Sequence, residues 1–187
     1  MRVVQLLPEL NEGGVERGVV ELNREFVRRG VDSLVISRGG RLVRQIAADG
    51  GRHETFDVCS KNPLTLVSRG AGLRRLEARL KPDIIHARSR VPAWLCLLAN
   101  RRLQLPFVTT VHGMNSVSFY SRVMTRGDRV ICVSEVVRDY ILKHYPVDAG
   151  RITVIQRGVD MNLFNPETTD RDFMQAFRQR YGLQDRF

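Results

Sequence analysis

The sequence predicts an α/β fold in which a parallel β-sheet lies between two layers of helices. Three observations carry this expectation. Short apolar runs of strand length alternate with helical patterns along nearly the whole chain, the rhythm of repeated strand–helix–strand units. The first run, RVVQLL, is almost uninterrupted, as strands buried on both faces are. The residues suited to chemistry fall just after the apolar runs, and open parallel sheets bind ligands outside the carboxyl ends of their strands.

The elements follow in order. RVVQLL reads as the first strand. Beyond Gly13 and Gly14, the apolar residues Val15, Val19, Leu22 and Phe26 recur at helical spacing. Gly30 suits the residue that ends that helix. SLVIS is the second strand, RLVRQIAAD a short helix and ETFDV the third strand. PLTLVSRGAGLRRLEARL is a helix with weak points at Gly70 and Gly72. DIIHA is the fourth strand and PAWLCLLANRRL the helix after it. PFVTTVHG is the fifth strand, SFYSRVMTRG reads as helical, and RVICVS is the sixth strand. EVVRDYILKHY is a helix and RITVIQ the seventh strand. A polar helix with Phe173, Met174, Phe177 and Tyr181 follows Pro166. The whole describes a Rossmann-like parallel sheet sandwiched by helices.

Composition narrows the function classes. The chain has 187 residues, and its 43% hydrophobic content fits a globular protein. No apolar run approaches the roughly 18 residues that span a bilayer. Glu9, Glu12 and Glu16 interrupt the first apolar stretch, so no signal peptide is expected and the chain reads as cytoplasmic. Cys59, Cys96 and Cys132 are isolated and form no metal or disulfide pattern. The formal charge of +10 favours anionic partners. Arg69 to Arg102 alone holds nine basic residues against Glu77 and Asp83, a candidate patch for an anionic membrane surface. Nucleic acid is not expected, because no recognition motif or aromatic ladder accompanies the charge. A dinucleotide-dependent oxidoreductase is disfavoured: the first turn lacks the G-x-G-x-x-G pattern, and no acidic residue ends the second strand.

The candidate site residues lie at strand ends. Gly13 and Gly14 stand at the amino end of the first helix, where free N–H groups and the helix dipole attract phosphate. They equally suit a simple turn. Arg88 and Ser89 follow the fourth strand, and a guanidinium suits forked contacts to a phosphate or carboxylate. His112 follows the fifth strand with Gly113 behind it. Ser134 and Glu135 follow the sixth, where Ser134 suits a helix cap. Arg157 follows the seventh. His86, inside a strand, reads as structural, and His53 and His144 read as surface residues.

In their order and spacing these pieces resemble the N-terminal half of a retaining GT-B glycosyltransferase of family 4, also called group 1. The resemblance rests on LLPELNEGGVERGVVELNREFVRRG, PDIIHARS, TTVHG, DRVICVSEVVRDYI and RITVIQRGVDMNLFNP. Arg157 stands where many members of that family carry Asn. The resemblance implies a Rossmann-like acceptor-side domain over residues 1–165. Residues 166–187 would lead to a donor-binding domain of similar fold beyond Phe187, with a basic pair for the diphosphate and a Glu-x7-Glu motif. It implies sugar transfer from a nucleotide-diphosphate sugar to a saccharide or lipid-linked acceptor, in lipopolysaccharide or other surface-glycan synthesis, without cofactor or metal. Gly13, Gly14 and Arg157 would face the donor phosphates. His112 would touch the transferred sugar near the reacting carbon, and Arg88, Ser89, Ser134 and Glu135 would face the acceptor. This stretch alone would not turn over substrate. A nucleotide-sugar epimerase of related two-domain shape, or a nucleotide-binding Rossmann module, is the alternative.

Overall fold

A computed structural model describes residues 1–161 and 164–183. Seven parallel strands form one sheet in the order β3-β2-β1-β4-β5-β6-β7. They are β1 (Arg2–Leu6), β2 (Asp32–Ser37), β3 (Arg52–Thr55), β4 (Ile84–Ala87), β5 (Phe107–Val111), β6 (Arg129–Cys132) and β7 (Ile152–Val154). Helices α1 (Gly14–Arg28), α2 (Val43–Ala48), α3 (Leu66–Leu80), α4 (Arg90–Leu103) and α5 (Glu135–His144) connect or follow them. The strand order reverses between β1 and β4, which makes the carboxyl ends of those two strands the switch point of the sheet.

The two faces of the sheet hold separate cores. Val4 and Leu6 of β1, Leu34 and Ile36 of β2, Ile85 of β4 and Val130 of β6 pack with Leu73 of α3, Leu95 and Cys96 of α4, and Val137 and Ile141 of α5. On the other face, Leu7 and Val35 pack with Val19 and Val20 of α1 and Ile46 of α2. Each such side chain stabilises the fold by about 1.5–3 kcal/mol when fully buried. The glycines that weaken α3 as a sequence are contact points in the fold. A Cβ on Gly70 would lie 3.2 Å from Leu98 of α4, and one on Gly72 would lie 3.0 Å from the Phe56 ring.

Three expectations are corrected. The third strand lies earlier than ETFDV, at Arg52–Thr55. Polar contacts set its register: Arg52 donates to Asp32 at 2.8 Å, and His53 Nε2 shares a hydrogen bond with Ser37 Oγ at 2.8 Å. His53 is therefore half-buried rather than a surface residue. SFYSRVMTRG forms only a 3₁₀ turn, Ser121–Thr125. The Tyr120 and Met124 carbonyls accept from Trp94 Nε1 and Thr109 Oγ1, which withdraws them from a helical ladder. Gly30, by contrast, ends α1 as expected, with φ 72°.

The chain divides into two compact units, Met1–Arg157 and Gly158–Phe187. The first ends earlier than the boundary at 165 read from the sequence. The second contains α6 (Arg171–Tyr181), capped by the Asp170 carboxylate, which accepts from Phe173 N at 2.9 Å. Its rings stack one turn apart, Phe173 on Phe177 at 6.0 Å and Phe177 on Tyr181 at 4.6 Å. Among the described residues no helix is long and apolar enough to cross a membrane.

Candidate functional site

The site begins where β1 ends. Its loop is tied to the loop after β2: Leu10 N donates to Gly39 O at 2.8 Å, and Leu42 N donates to Leu10 O at 2.8 Å. Gly40 makes this approach possible, because a Cβ there would lie 2.5 Å from the Leu10 carbonyl. An ion pair between Arg41 and Glu12 joins the same two loops.

The two adjacent glycines divide their tasks. Gly13 caps α1 with φ 138°, a left-handed conformation that side chains avoid. No side chain caps the first turn of α1, so its amides and the positive end of the helix dipole remain open to an anion. Gly14 is already helical, and its role is proximity. Arg157 donates to the Gly14 carbonyl, and a Cβ on Gly14 would lie 2.5 Å from Arg157 Nη1.

Arg88 enters from the other side of the switch point. Its backbone N–H donates to Leu6 O at 2.8 Å, which fixes the residue beside the end of β1. Its side chain is buried, and Nε has no hydrogen-bond partner. The Arg88 and Arg157 guanidiniums reach the same place on α1: a Cβ on Gly18 would lie 3.3 Å from Arg157 Nη2 and 3.6 Å from Arg88 Nη2. Burial first, and then the Arg157 charge, push the Arg88 pKa down to about 10.

His112 belongs to the same group. It is half-buried at the end of β5, and neither ring nitrogen has a hydrogen-bond partner among the described residues. Burial first, then the charges of Arg88 and Arg157, push its pKa down to about 3. At neutral pH the ring is uncharged and offers one donor and one acceptor. His86 lies deeper and bonds Thr110 Oγ1 at 2.7 Å, the structural role read from the sequence.

The structure thus brings together Gly14, Arg88, His112 and Arg157, with Gly13 beside them. Ser89 caps α4 through its backbone, accepting from Ala93 N at 2.9 Å. Ser134 and Glu135 are engaged within α5. Ser134 Oγ accepts from Val137 N at 3.3 Å, and Glu135 pairs with Arg138 at 2.6 Å. Gly18 escaped the sequence reading. Its signal was the spacing to Gly14, which puts both on one helix flank. Among the described residues no group of three His, Cys, Asp or Glu side chains is placed to hold a metal ion.

Chemically, the group is a cationic cluster with one neutral imidazole. It suits an oxyanion, held by forked guanidinium donors and helix amides. Arg88 makes no ion pair with a carboxylate among the described residues.

Comparison with known proteins follows the same line. The model of Glycosyltransferase Family 4 matches residues 12–163. A D-inositol 3-phosphate glycosyltransferase of Mycolicibacterium smegmatis is 27% identical over 91% of this chain and 45% of its own length. The enzyme of that name from Rhodococcus opacus is 27% identical over 93% of this chain and 45% of its own. The chain therefore spans about half the length of the curated relatives it matches. A glycosyltransferase structure from Rickettsia africae superposes with a TM-score of 0.80 at 30% identity, covering 99% of this chain and 50% of that one. Anabaena HepE in complex with UDP-glucose superposes with a TM-score of 0.75 at 18% identity over 99% of this chain and 50% of its own, a likeness of fold.

Proposed function

The chain belongs to glycosyltransferase family 4, and from that premise we propose that it forms the N-terminal half of an enzyme that moves a sugar from a nucleotide-diphosphate sugar to an acceptor. The observation that carries this reading is the meeting of Arg88, Arg157, His112 and the open amino end of α1 at the switch point. Positive charge and free amides suit the leaving diphosphate. A neutral His112 beside them suits a hydrogen bond to the sugar near the carbon where positive charge develops. A second domain, joined through residues after Arg157, completes the donor site.

Finer features belong to the same proposal. The reaction retains anomeric configuration and needs no metal, as the resemblance to the family implies; the leaving phosphate takes the acceptor's proton, so the mechanism calls for no carboxylate nucleophile. The acceptor is a saccharide or lipid-linked saccharide of lipopolysaccharide or another surface glycan, and the enzyme works in the cytoplasm at the anionic face of the membrane. The support for this is the exposed part of the basic stretch, Arg75, Arg79, Lys81, Arg101 and Arg102; Arg69 and Arg88 of the same stretch are buried. The Mycolicibacterium and Rhodococcus relatives are named for a phosphorylated acceptor, which an arginine-rich cleft also suits.

The test is transfer by the longer protein that carries this chain. Sugar transfer from one of a panel of nucleotide sugars, with retained configuration by NMR and no loss in chelator, is expected. His112→Ala should lower kcat by about a hundredfold or more, the usual cost of one group that stabilises transition-state charge. Full activity in that variant would overturn the assignment of His112, and inverted product would overturn retention.

A further inference from the structure

Resting on the placement of Arg88 in that site, we propose that Gln5, inside β1, is a positioning residue for the reaction: its side-chain amide holds Arg88 Nε from beneath through an internal water molecule.

Gln5 is fully buried, and neither Oε1 nor Nε2 has a hydrogen-bond partner among the described residues. The sheet register fixes where the amide sits. Leu7, two residues on, and Val35, which pairs with Gln5 from β2, both pack with Val19 and Val20 of α1. Gln5 therefore lies on the α1 face of the sheet. His86 of β4 pairs with Gln5 from the other side, and Arg88 follows two residues later on the same face. Strands about 4.8 Å apart, rising about 3.3 Å per residue, set the Gln5 and Arg88 Cβ atoms roughly 8 Å from each other. A water molecule between the side-chain tips bridges that separation. Burial first, then the charges of Arg88 and His112, hold the His86 pKa well below its ordinary value, so the row that holds Gln5 lies close under both site residues.

The burial of Arg88 calls for such a partner. Arg69 and Arg88 are equally buried, each 9% exposed. Arg69 donates to Thr65 Oγ1 at 3.0 Å, Ser60 O at 2.8 Å and Asn62 O at 3.3 Å, and faces the Asp57 carboxylate at 4.0 Å. Arg88 Nε has no partner among the described residues. A buried cation and a buried amide are each costly without hydrogen bonds. Here the two deficits are complementary. Nε–H is a donor without an acceptor, and Oε1 is an acceptor without a donor. A water that accepts from Nε and donates to Oε1 satisfies both, and two polar partners suffice to hold it. His86 does not compete for it through Nε2, which is engaged with Thr110 Oγ1 at 2.7 Å. At the other end of the amide, Ser33 of β2 lies one row down on the same face, and its buried Oγ is also unpartnered. It suits the Nε2 donor. The gain falls on the guanidinium: an arginine tied at Nε keeps its Nη groups turned to α1, where Nη2 would lie 3.6 Å from a Cβ on Gly18.

The test uses NMR and denaturant unfolding of the 187-residue chain. The Arg88 Nε–H resonance, identified by its loss in Arg88→Met, should exchange slowly with solvent and show a cross-peak to a long-lived water. Gln5→Met roughly keeps the volume and removes the amide. It should abolish the slow exchange, and Gln5→Glu, which keeps an acceptor, should retain it. Val35→Ala, a cavity in the same row, should leave the resonance unchanged while it loosens the core. Gln5→Met should raise the unfolding equilibrium constant by about tenfold, the scale of a lost hydrogen bond to a charged group. In the Arg88→Met chain it should lower that constant, because the amide has nothing left to hold. In the longer protein, Gln5→Met should lower kcat/KM by about tenfold or more and add nothing to Arg88→Met. An Arg88 signal that survives Gln5→Met, a signal with no water cross-peak, or a stability effect of Gln5→Met that is the same with and without Arg88 overturns the proposal. Coupling of Gln5 to Arg88 in a longer protein that transfers no sugar refutes the enzymatic reading alone, and transfer untouched by Gln5→Met refutes the positioning role alone.

Discussion

Replacing Glu77 with Gln should make the fold more stable at neutral pH. Glu77 lies on α3 among Leu73 and Leu80, fully buried, and neither carboxyl oxygen has a hydrogen-bond partner. Burial alone raises its pKa from the ordinary 4.5 to about 8. A group whose pKa is raised by folding stabilises the fold below its unfolded pKa and loses that contribution as pH climbs through the folded one. At about 1.4 kcal/mol per pH unit, the loss across the whole window is ~5 kcal/mol, of which about 3 kcal/mol is gone by pH 7. Glutamine keeps the shape and the unpaired polar atoms but cannot ionise, so the comparison isolates the charge. Denaturant unfolding of both chains, from mild acid to pH 8, reads the difference. The two should be about equally stable near pH 4.5 and should diverge by about 3 kcal/mol, in favour of Gln, at pH 7. Exposed carboxylates held low by arginines, such as Glu25, titrate in both chains and cancel. Parallel stability profiles for the two chains would refute the buried, protonated Glu77.

Three further outcomes follow, two at the switch point and one at the loop after β2. NMR of the His112 ring should show a neutral imidazole from pH 8 down to about pH 4, since its pKa is held near 3; because folding depresses it, the linked stability is lost as pH falls below 6.5. Arg157→Gln should raise that pKa, and an unchanged titration would show that the guanidinium charge does not reach the ring. Gly40→Ala should cost about 1–3 kcal/mol of stability by thermal melting, from backbone strain at φ 141° and contact with the Leu10 carbonyl.

The alternation of strands and helices was legible because it is written in local hydrophobic pattern. The register of β3 was not, because Asp32, Ser37 and His53 set it through contacts across the sheet. The turn at Ser121 depends likewise on Trp94 and Thr109, far away in sequence. The site was legible as a set of strand ends, which chain topology gathers on one edge. Which residues actually touch was not. Arg88 and Arg157 meet only because the residues that follow β4 and β7 both reach α1, and Gly18 has meaning only beside them. Glu77 looked like one charge in a basic stretch. Its burial follows from the packing of α3 against the core, a fact of tertiary structure.

The stitching of the β1 loop to its neighbour bears on how the amino end of α1 is held. With Leu10 bonded on both sides to the loop after β2, and no room at Gly40 for even a methyl group, the chain that leads to Gly13 is anchored at Leu10. On the proposed function, adaptation to different substrates would fall to side chains such as Arg157, which is exposed and hooked to α1 by a carbonyl. Swapping residues 38–42 for a looser loop should blur selectivity before it loosens the sheet, although no residue of that loop is among the side chains gathered at Gly14 and Gly18.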